Sequence, residues 1–364
     1  MILPFTEKEA STFKKEGGSS RPKRVEEKMK RCAVEILAGL LLLCPFLQAQ
    51  GKPISSVVNL SGGVSVSTFR ETGTESGTDT SKKIEDAVLE ISVSRKGADF
   101  DLSLGSLLLP TVLNSTKQEN KGNFGLNRNG DRFGLLWGYL ELKPAGKLNL
   151  KVGVLPTNVG YELAESYKNF NITYGLVWNS QPFIYRGVRA TYTFGKSLQI
   201  YGEYDRGKEL NGNDRDHAFG IGAAGAIGEL YYTVNYFDYG NYKNLFDFTL
   251  STECKKVKLG FNGDYQWLDR DKNKAGYGLA FYVVPDLGRI SLPVRVEYVK
   301  DINQSGIYGF NDRGTYSFTV TPTYKLSEHT TVRAEYSYVK SNYSKAFNGS
   351  DHKEILSFQF SYAF

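Results

Sequence analysis

Cysteine is nearly absent from this chain. Cys32 and Cys44 fall within the first 50 residues, so a chain shortened there keeps Cys254 alone. That excludes an internal disulfide and a cysteine-based metal site. Histidine is as scarce: His217, His329 and His352 stand far apart, each at a loop or strand end. HExxH, Gly-x-Ser-x-Gly and phosphate-loop patterns are missing, so the chemistries those motifs carry are not encoded. No cofactor is called for. Asp214, Asp216 and His217 share one segment, which leaves a surface protease or lipase site open as an alternative. No long apolar run follows residue 47, so no transmembrane helix is expected beyond it. Charge of one sign is also in short supply. Residues 1–50 hold nine Lys/Arg and six Asp/Glu, leaving 36 against 33, a net of +3. A basic tail for nucleic acid is therefore not supported.

What is present begins with an address. Met29-Lys30-Arg31 is basic, Ile36 to Leu47 is apolar, and Leu47-Gln48-Ala49 supplies a small residue at a cut. This is the order of a secretory signal spanning 29–49, with cleavage expected after Ala49. The apolar run is shorter than the ~20 residues of a spanning helix. Cys44 follows Leu41-Leu42-Leu43 and lacks the small residue that lipid attachment requires. Residues 1–28 are polar, of mixed charge and without apolar periodicity, and read as an upstream extension ahead of a start at Met29 or as a disordered segment.

From residue 54 to the end, segments of about ten residues alternate apolar and polar at period two, the pattern of half-exposed strands. Val58-Leu60-Gly62-Val64-Val66 is the first and His352–Phe364 the last. Long polar connections (Glu71 to Ser81, Pro110 to Arg132, Leu155 to Pro182, Asp205 to Asp216, Asp238 to Lys243, Asp269 to Lys274, Asp301 to Arg313, Ser341 to Asp351) alternate with short turns such as Lys96-Gly97-Ala98 and Pro285 to Gly288. About sixteen strands result. An even-stranded antiparallel meander with one rim of short turns and one of long loops is a transmembrane up-and-down β-barrel, with the short turns expected on the periplasmic side and the long loops outside. Mean hydropathy of −0.36 suits it, because half of every strand faces water. Sixteen strands ~4.8 Å apart and tilted ~40° close at roughly 30 Å diameter, too wide to be stoppered by wall side chains alone.

The last strand places Leu356, Phe358, Phe360, Tyr362 and Phe364 on one face and Ser357, Gln359, Ser361 and Ala363 on the other. Taken alone it is also compatible with a half-buried edge strand. Its aromatic end, Phe360, Tyr362 and Phe364, resembles the closing strand of bacterial outer-membrane barrels. The resemblance implies a Gram-negative outer membrane, contact with its lipid and lipopolysaccharide, and recognition by the barrel-assembly machinery.

Parity sorts the remaining side chains. Glu90, Asp101, Glu141, Lys151, Arg189, Glu203, Asp247, Lys258, Asp264, Arg295, Glu297, Arg333 and Glu335 fall on the inward face, because Lys or Arg facing lipid at mid-membrane costs ~2–4 kcal/mol. Eight are acidic and five basic, a lean toward cations if they border a pore; the alternative is that they only keep the wall wet. Arg186 breaks the parity and is expected at the membrane interface or displaced by a bulge. The connection Leu155 to Pro182 is long and aromatic, with Tyr161, Tyr167, Phe170, Tyr174 and Trp178. Loops of such length are commonly functional or disordered, and this one is too aromatic for disorder. It is expected to fold inward and narrow the pore through Tyr161, Glu162, Glu165 and Lys168; an external lid or a subunit contact is the alternative.

Gly153-Val-Leu-Pro-Thr-Asn-Val-Gly-Tyr161-Glu162, with Gln181-Pro-Phe and Gly187-Val-Arg-Ala-Thr-Tyr192, resembles the OmpL-like β-barrel porin family. The likeness is sharp over this hairpin and elsewhere rests on pattern and length. It implies a channel for passive diffusion of small hydrophilic solutes and ions, with a homotrimer as one assembly, and carries no catalytic or ligand residue across. A non-conducting barrel serving as adhesin or envelope scaffold is the competing expectation.

Overall fold

In a strand, neighbouring side chains leave on opposite faces, so a chain of alternating segments must choose one face for water and one for lipid. The computed structural model describes residues 57–72, 80–95, 98–106, 134–182, 184–206, 217–240, 242–310, 313–344, 346–347 and 349–364. The upstream extension 1–28, the signal 29–49 and most of the first, second and fourth long connections lie outside the described residues, as do Asp214 and Asp216.

Sixteen antiparallel strands follow in chain order, each paired with its neighbours. They are β1 (Val57–Thr72), β2 (Thr80–Arg95), β3 (Ala98–Ser106), β4 (Gly134–Ala145), β5 (Leu148–Pro156), β6 (Ile184–Thr193), β7 (Gln199–Arg206) and β8 (His217–Ile227). The second half comprises β9 (Leu230–Asp238), β10 (Lys243–Cys254), β11 (Val257–Leu268), β12 (Asp271–Pro285), β13 (Ile290–Ser291 continuing as Val294–Ile302), β14 (Gly314–Val320 continuing as Thr323–Lys325), β15 (Thr330–Ser341) and β16 (His352–Ala363). The breaks in β13 and β14 coincide with Pro293 and Pro322, which have no N–H to give the ladder. Their carbonyls still accept from the next strand, Thr321 N–H to Pro293 O at 2.8 Å and Ala334 N–H to Pro322 O at 3.0 Å.

The cylinder closes where β1 meets β16, in register from Gly63–Ala363 to Thr72–Glu354. Phe364, the last residue, exchanges two backbone bonds with Gly62 at 3.1 and 3.0 Å. The expected sorting holds on this seam: Leu356, Phe358, Phe360 and Tyr362 are 41–53% exposed while Ser357, Gln359 and Ser361 are buried. Outward Val66, Val152, Ile221, Phe281 and Phe318 continue the apolar belt. Near the long-loop rim it ends in aromatics, with Tyr265 against Trp267 and Tyr277 against Tyr298; near the other rim Tyr192 meets Phe194 and Tyr362 meets Phe364. Such a barrel would expose far too much grease in water and is matched to a bilayer with its two aromatic girdles.

One connection differs from expectation. The sixth long-rim connection is only Asp269-Arg270, because Asp271–Lys274 already belongs to β12. A register shift between Trp267 and Leu268 takes up the extra residues, and Asn273 N–H turns back to Asp271 Oδ1. Polarity in that stretch signals a hairpin extending past the membrane, not an open loop.

Candidate functional site

A loop that enters a barrel brings backbone N–H and C=O groups with it, and each needs a partner once water is displaced. The third long connection, between β5 and β6, enters. It has two short 3-10 turns, Ser166–Lys168 and Trp178–Ser180, and little other regular structure to satisfy itself. The inward face of the wall supplies the partners.

Charged wall residues hold the loop backbone. Glu335 accepts from the N–H groups of Ile172 and Thr173 and from the hydroxyls of Thr173 (2.6 Å) and Thr321 (2.8 Å). Glu297 accepts from Val177 N–H at 3.2 Å and Ser317 Oγ at 2.7 Å. Asp247 accepts from Gly160 N–H at 3.2 Å. The bases read carbonyls: Arg333 donates to Asn169 O (2.6 Å), Arg295 to Thr173 O (2.7 Å), Lys243 to Ser180 O (2.7 Å) and Arg189 to Pro156 O (2.9 Å). Asp264 receives Gln181 Nε2 at 3.0 Å, and Arg189 pairs with Glu203. Tyr161 stacks on Tyr282 at 4.3 Å and occupies the space where Gly260 has no side chain; Tyr167 sits likewise over Gly63. A Cβ at either glycine would strike the ring, so these two positions are sockets for the loop.

Of the four loop residues expected to narrow the pore, Glu162 lies deepest. Its carboxyl accepts from Arg295, from Gly175 N–H at 2.8 Å and from Tyr282 Oη at 3.2 Å. Arg295, itself fully buried, also lies 3.2 Å from Glu297. Burial holds the Glu162 carboxyl above its ordinary range despite the guanidinium, and burial together with Glu162 pushes Tyr161 up to about 12. Glu165 and Lys168 lie at the tip. The Lys168 ammonium contacts Glu165 Oε1 at 2.7 Å and both oxygens of Glu90 on β2 at 2.9 and 3.0 Å. Burial raises the Glu165 carboxyl. Burial pulls Lys168 down, but Glu165 and Glu90 outweigh it and hold the ammonium above its ordinary value.

The contacts trace the loop along the wall from β6 through β9–β15 to β1 and β2. The arc β2–β5 faces the loop's far edge, where Ala164 and Tyr167 pack against the buried Val88, Trp137, Val154 and Ile184. There Glu90, Glu141 and Lys151 keep 25%, 12% and 25% of their side chains exposed, and Lys168 keeps 34%. These charges pair with each other: Lys151 lies 3.4 Å from Glu141 and 4.5 Å from the Tyr139 ring centre, and Asp101 accepts from Ser92 at 2.7 Å. Lys258 is inward near the short-turn rim, opposite Glu253. Arg186 is outward by register, facing Arg206 near the long-loop rim. His217 also faces out and bonds Tyr204.

Sequence reasoning missed a second inward fold. Asp301 accepts the N–H groups of Tyr308 (2.9 Å) and Phe310 (2.8 Å), which turns the seventh long connection inward. Phe310 then meets Phe347 of the eighth at 6.0 Å, and Tyr308, Phe310, Phe347, Ile172, Leu176 and Val177 share one apolar cluster inside the barrel. The aromatic residues of these otherwise polar connections were the available signal.

The fold has close counterparts among solved structures, all of low identity. OmpT, an outer membrane protein of Vibrio cholerae, superposes with a TM-score of 0.58 at 12% identity, over 87% of this chain and 100% of its own. An anion-selective porin from Comamonas acidovorans gives 0.59 at 11%, over 85% and 100%. Pseudomonas putida OprB gives 0.61 at 12%, over 85% and 94%. Comparison with curated proteins gives no match. One family model, described as Putative beta-barrel porin-2, OmpL-like, matches residues 61–364. A closed sixteen-stranded barrel, apolar outside and polar within, thus coincides with that match from residue 61 to the last strand, and the chain belongs to the OmpL-like β-barrel porin family.

Proposed function

We propose that the protein is an outer-membrane porin, a water-filled channel through which small hydrophilic solutes and ions diffuse passively. The observation that carries this is the set of part-exposed charges Glu90, Glu141 and Lys151 on the arc β2–β5, which keep surface inside the barrel although Ala164 and Tyr167 of the loop pack against Val88, Trp137 and Val154 there. The channel runs between that arc and the loop edge, with Glu165 and Lys168 at its narrowest level and Tyr161 and Glu162 bracing the loop from behind. Glu90, Asp101, Glu141 and Glu165 outnumber Lys151 and Lys168 there, which favours cations. The family and the girdled barrel support an outer-membrane location reached by way of a signal cleaved near Ala49, lipopolysaccharide and barrel-assembly machinery as partners, and a homotrimer as one assembly. Nothing in this reading calls for a reaction.

The apolar cluster of Phe310, Phe347, Ile172 and Leu176 favours a second reading, a barrel filled far enough to be a scaffold or adhesin. Single-channel recording of the refolded full chain in a planar bilayer separates the two. Discrete steps with a cation-sided reversal potential in a KCl gradient are expected. A sealed bilayer refutes the porin reading.

A further inference from the structure

Resting on the porin reading, we propose that the Glu90–Lys168 ion pair is the closure of the channel's narrowest ring and sets the size of solute that passes. The third loop spans from β6 to β2, and its two ends are held by different means. At the β6 end Arg189, 5% exposed, grips Pro156 O and Asn158 Oδ1 at 2.9 Å each. Along β9–β15 the anchors are buried carboxylates and guanidinia. At the tip, the tie to β2 is a lysine 34% exposed and a glutamate 25% exposed, with Glu165 alongside. Tyr167 rests beside it on Gly63 and, with Ala164, against the apolar cluster of Val88, Trp137, Val154 and Ile184, so the ion pair is the polar part of the tip's hold.

Buried charge pairs are little screened by salt, whereas exposed ones are screened within a Debye length of ~10 Å at 0.1 M and ~3 Å at 1 M. The tip is therefore the part of the loop that lets go first. When Lys168 leaves Glu90, the ring opens between the loop tip and β1–β2 while the base stays docked. The bond also fixes where the Lys168 charge sits, so it positions the lip as well as narrowing it. In this scheme Glu90 and Lys168 are positioning residues whose effect is read as a radius.

The test is polymer exclusion of single-channel current. Uncharged polyethylene glycols of graded size report the radius at which they cease to depress conductance, free of any effect of pore charge on the probe. Wild type, Lys168→Glu, Glu90→Lys and the double exchange are compared at 0.1 and 1 M KCl, with heat-shifted gel mobility confirming each barrel. Either single exchange is expected to admit a polymer at least one size class larger at 0.1 M, the double exchange to restore the wild-type cutoff, and the wild-type cutoff itself to grow at 1 M. Unchanged cutoffs in conducting single variants, or a double exchange no better than the singles, overturn the closure and leave the porin reading standing. Silence from wild type and all variants sinks both.

Discussion

Glu335→Ala offers a direct test of how the inward loop is held. Its carboxylate is buried and takes two loop N–H groups, Ile172 and Thr173, and the hydroxyls of Thr173 and Thr321. Truncation leaves the two backbone donors facing a wall of Thr321 and Ser337, whose hydroxyls cannot replace both carboxylate oxygens. Leaving a buried donor unmade costs ~1–3 kcal/mol each; two of them weaken docking by about 2–6 kcal/mol, and at ~1.4 kcal/mol per decade the lower bound already shifts the docked population more than tenfold. The barrel itself should survive, because the β14–β15 and β15–β16 ladders do not use this side chain. The expected result is native heat-shifted mobility together with protease cleavage between residues 163 and 172 and a noisier, larger single-channel current. Glu335→Gln, which keeps one acceptor oxygen and turns a donor toward the other N–H, should fall between. A Glu335→Ala channel with wild-type current and a protease-resistant loop would refute the anchoring role.

Two further outcomes follow from the same geometry. Arg295→Met leaves Glu162 and Glu297 buried without their shared cation, and breaking a buried pair costs ~3–5 kcal/mol; thermal unfolding of the refolded barrel should show a clear loss that the Glu162→Gln/Arg295→Met double variant partly recovers, and a double variant worse than the single would contradict it. Selectivity should also depend on pH through Glu165. Burial raises its carboxyl above the ordinary 4.5, so the folded loop holds that proton more tightly than the unfolded chain. Docking is therefore favoured at low pH and loses that contribution as pH rises through the raised value. Above that value the Glu90–Glu165–Lys168 group carries a net −1, and acidification takes it to zero. Reversal potentials should show a cation preference that weakens as the pH is lowered through that raised value, and Glu165→Gln should remove that part of the change; a preference that strengthens on acidification counts against the assignment.

Much of the barrel was legible because period two is a one-dimensional signal. Once Phe358 and Phe360 face lipid, Gln359 must face in, and the same reasoning placed Glu335, Arg295 and Asp247 on the inner face and Arg186 on the outer. The breaks at Pro293 and Pro322 were passed over although proline cannot donate to a ladder. Asp271 was read as loop because polarity marks both loops and hairpins that rise clear of the membrane. What a sequence read strand by strand does not carry is which arc of wall the third loop covers. Glu335 and Glu141 have the same parity and the same residue type, yet one lies against the loop backbone and the other faces the arc left open.

That difference explains why so many charges face inward in a barrel whose interior is partly dry. An irregular segment held at membrane depth must find partners for its own backbone. On β6 and β10–β15 the bases are set against its carbonyls, from Pro156 to Ser180, and the acids against its N–H groups, from Gly160 to Val177. On β3–β5 the loop arrives through the side chains of Ala164 and Tyr167, against Trp137 and Val154, and the wall charges pair among themselves, Asp99 with Lys143 and Glu141 with Lys151, keeping part of their surface in water. The two sets answer to different selective demands. Removing a charge that holds the loop, Glu90 on β2 included, frees it and changes what size can pass; removing one from β3–β5 leaves the loop in place and changes which sign of ion is favoured. A census of inward charge predicts selectivity only after the covered set has been subtracted from it.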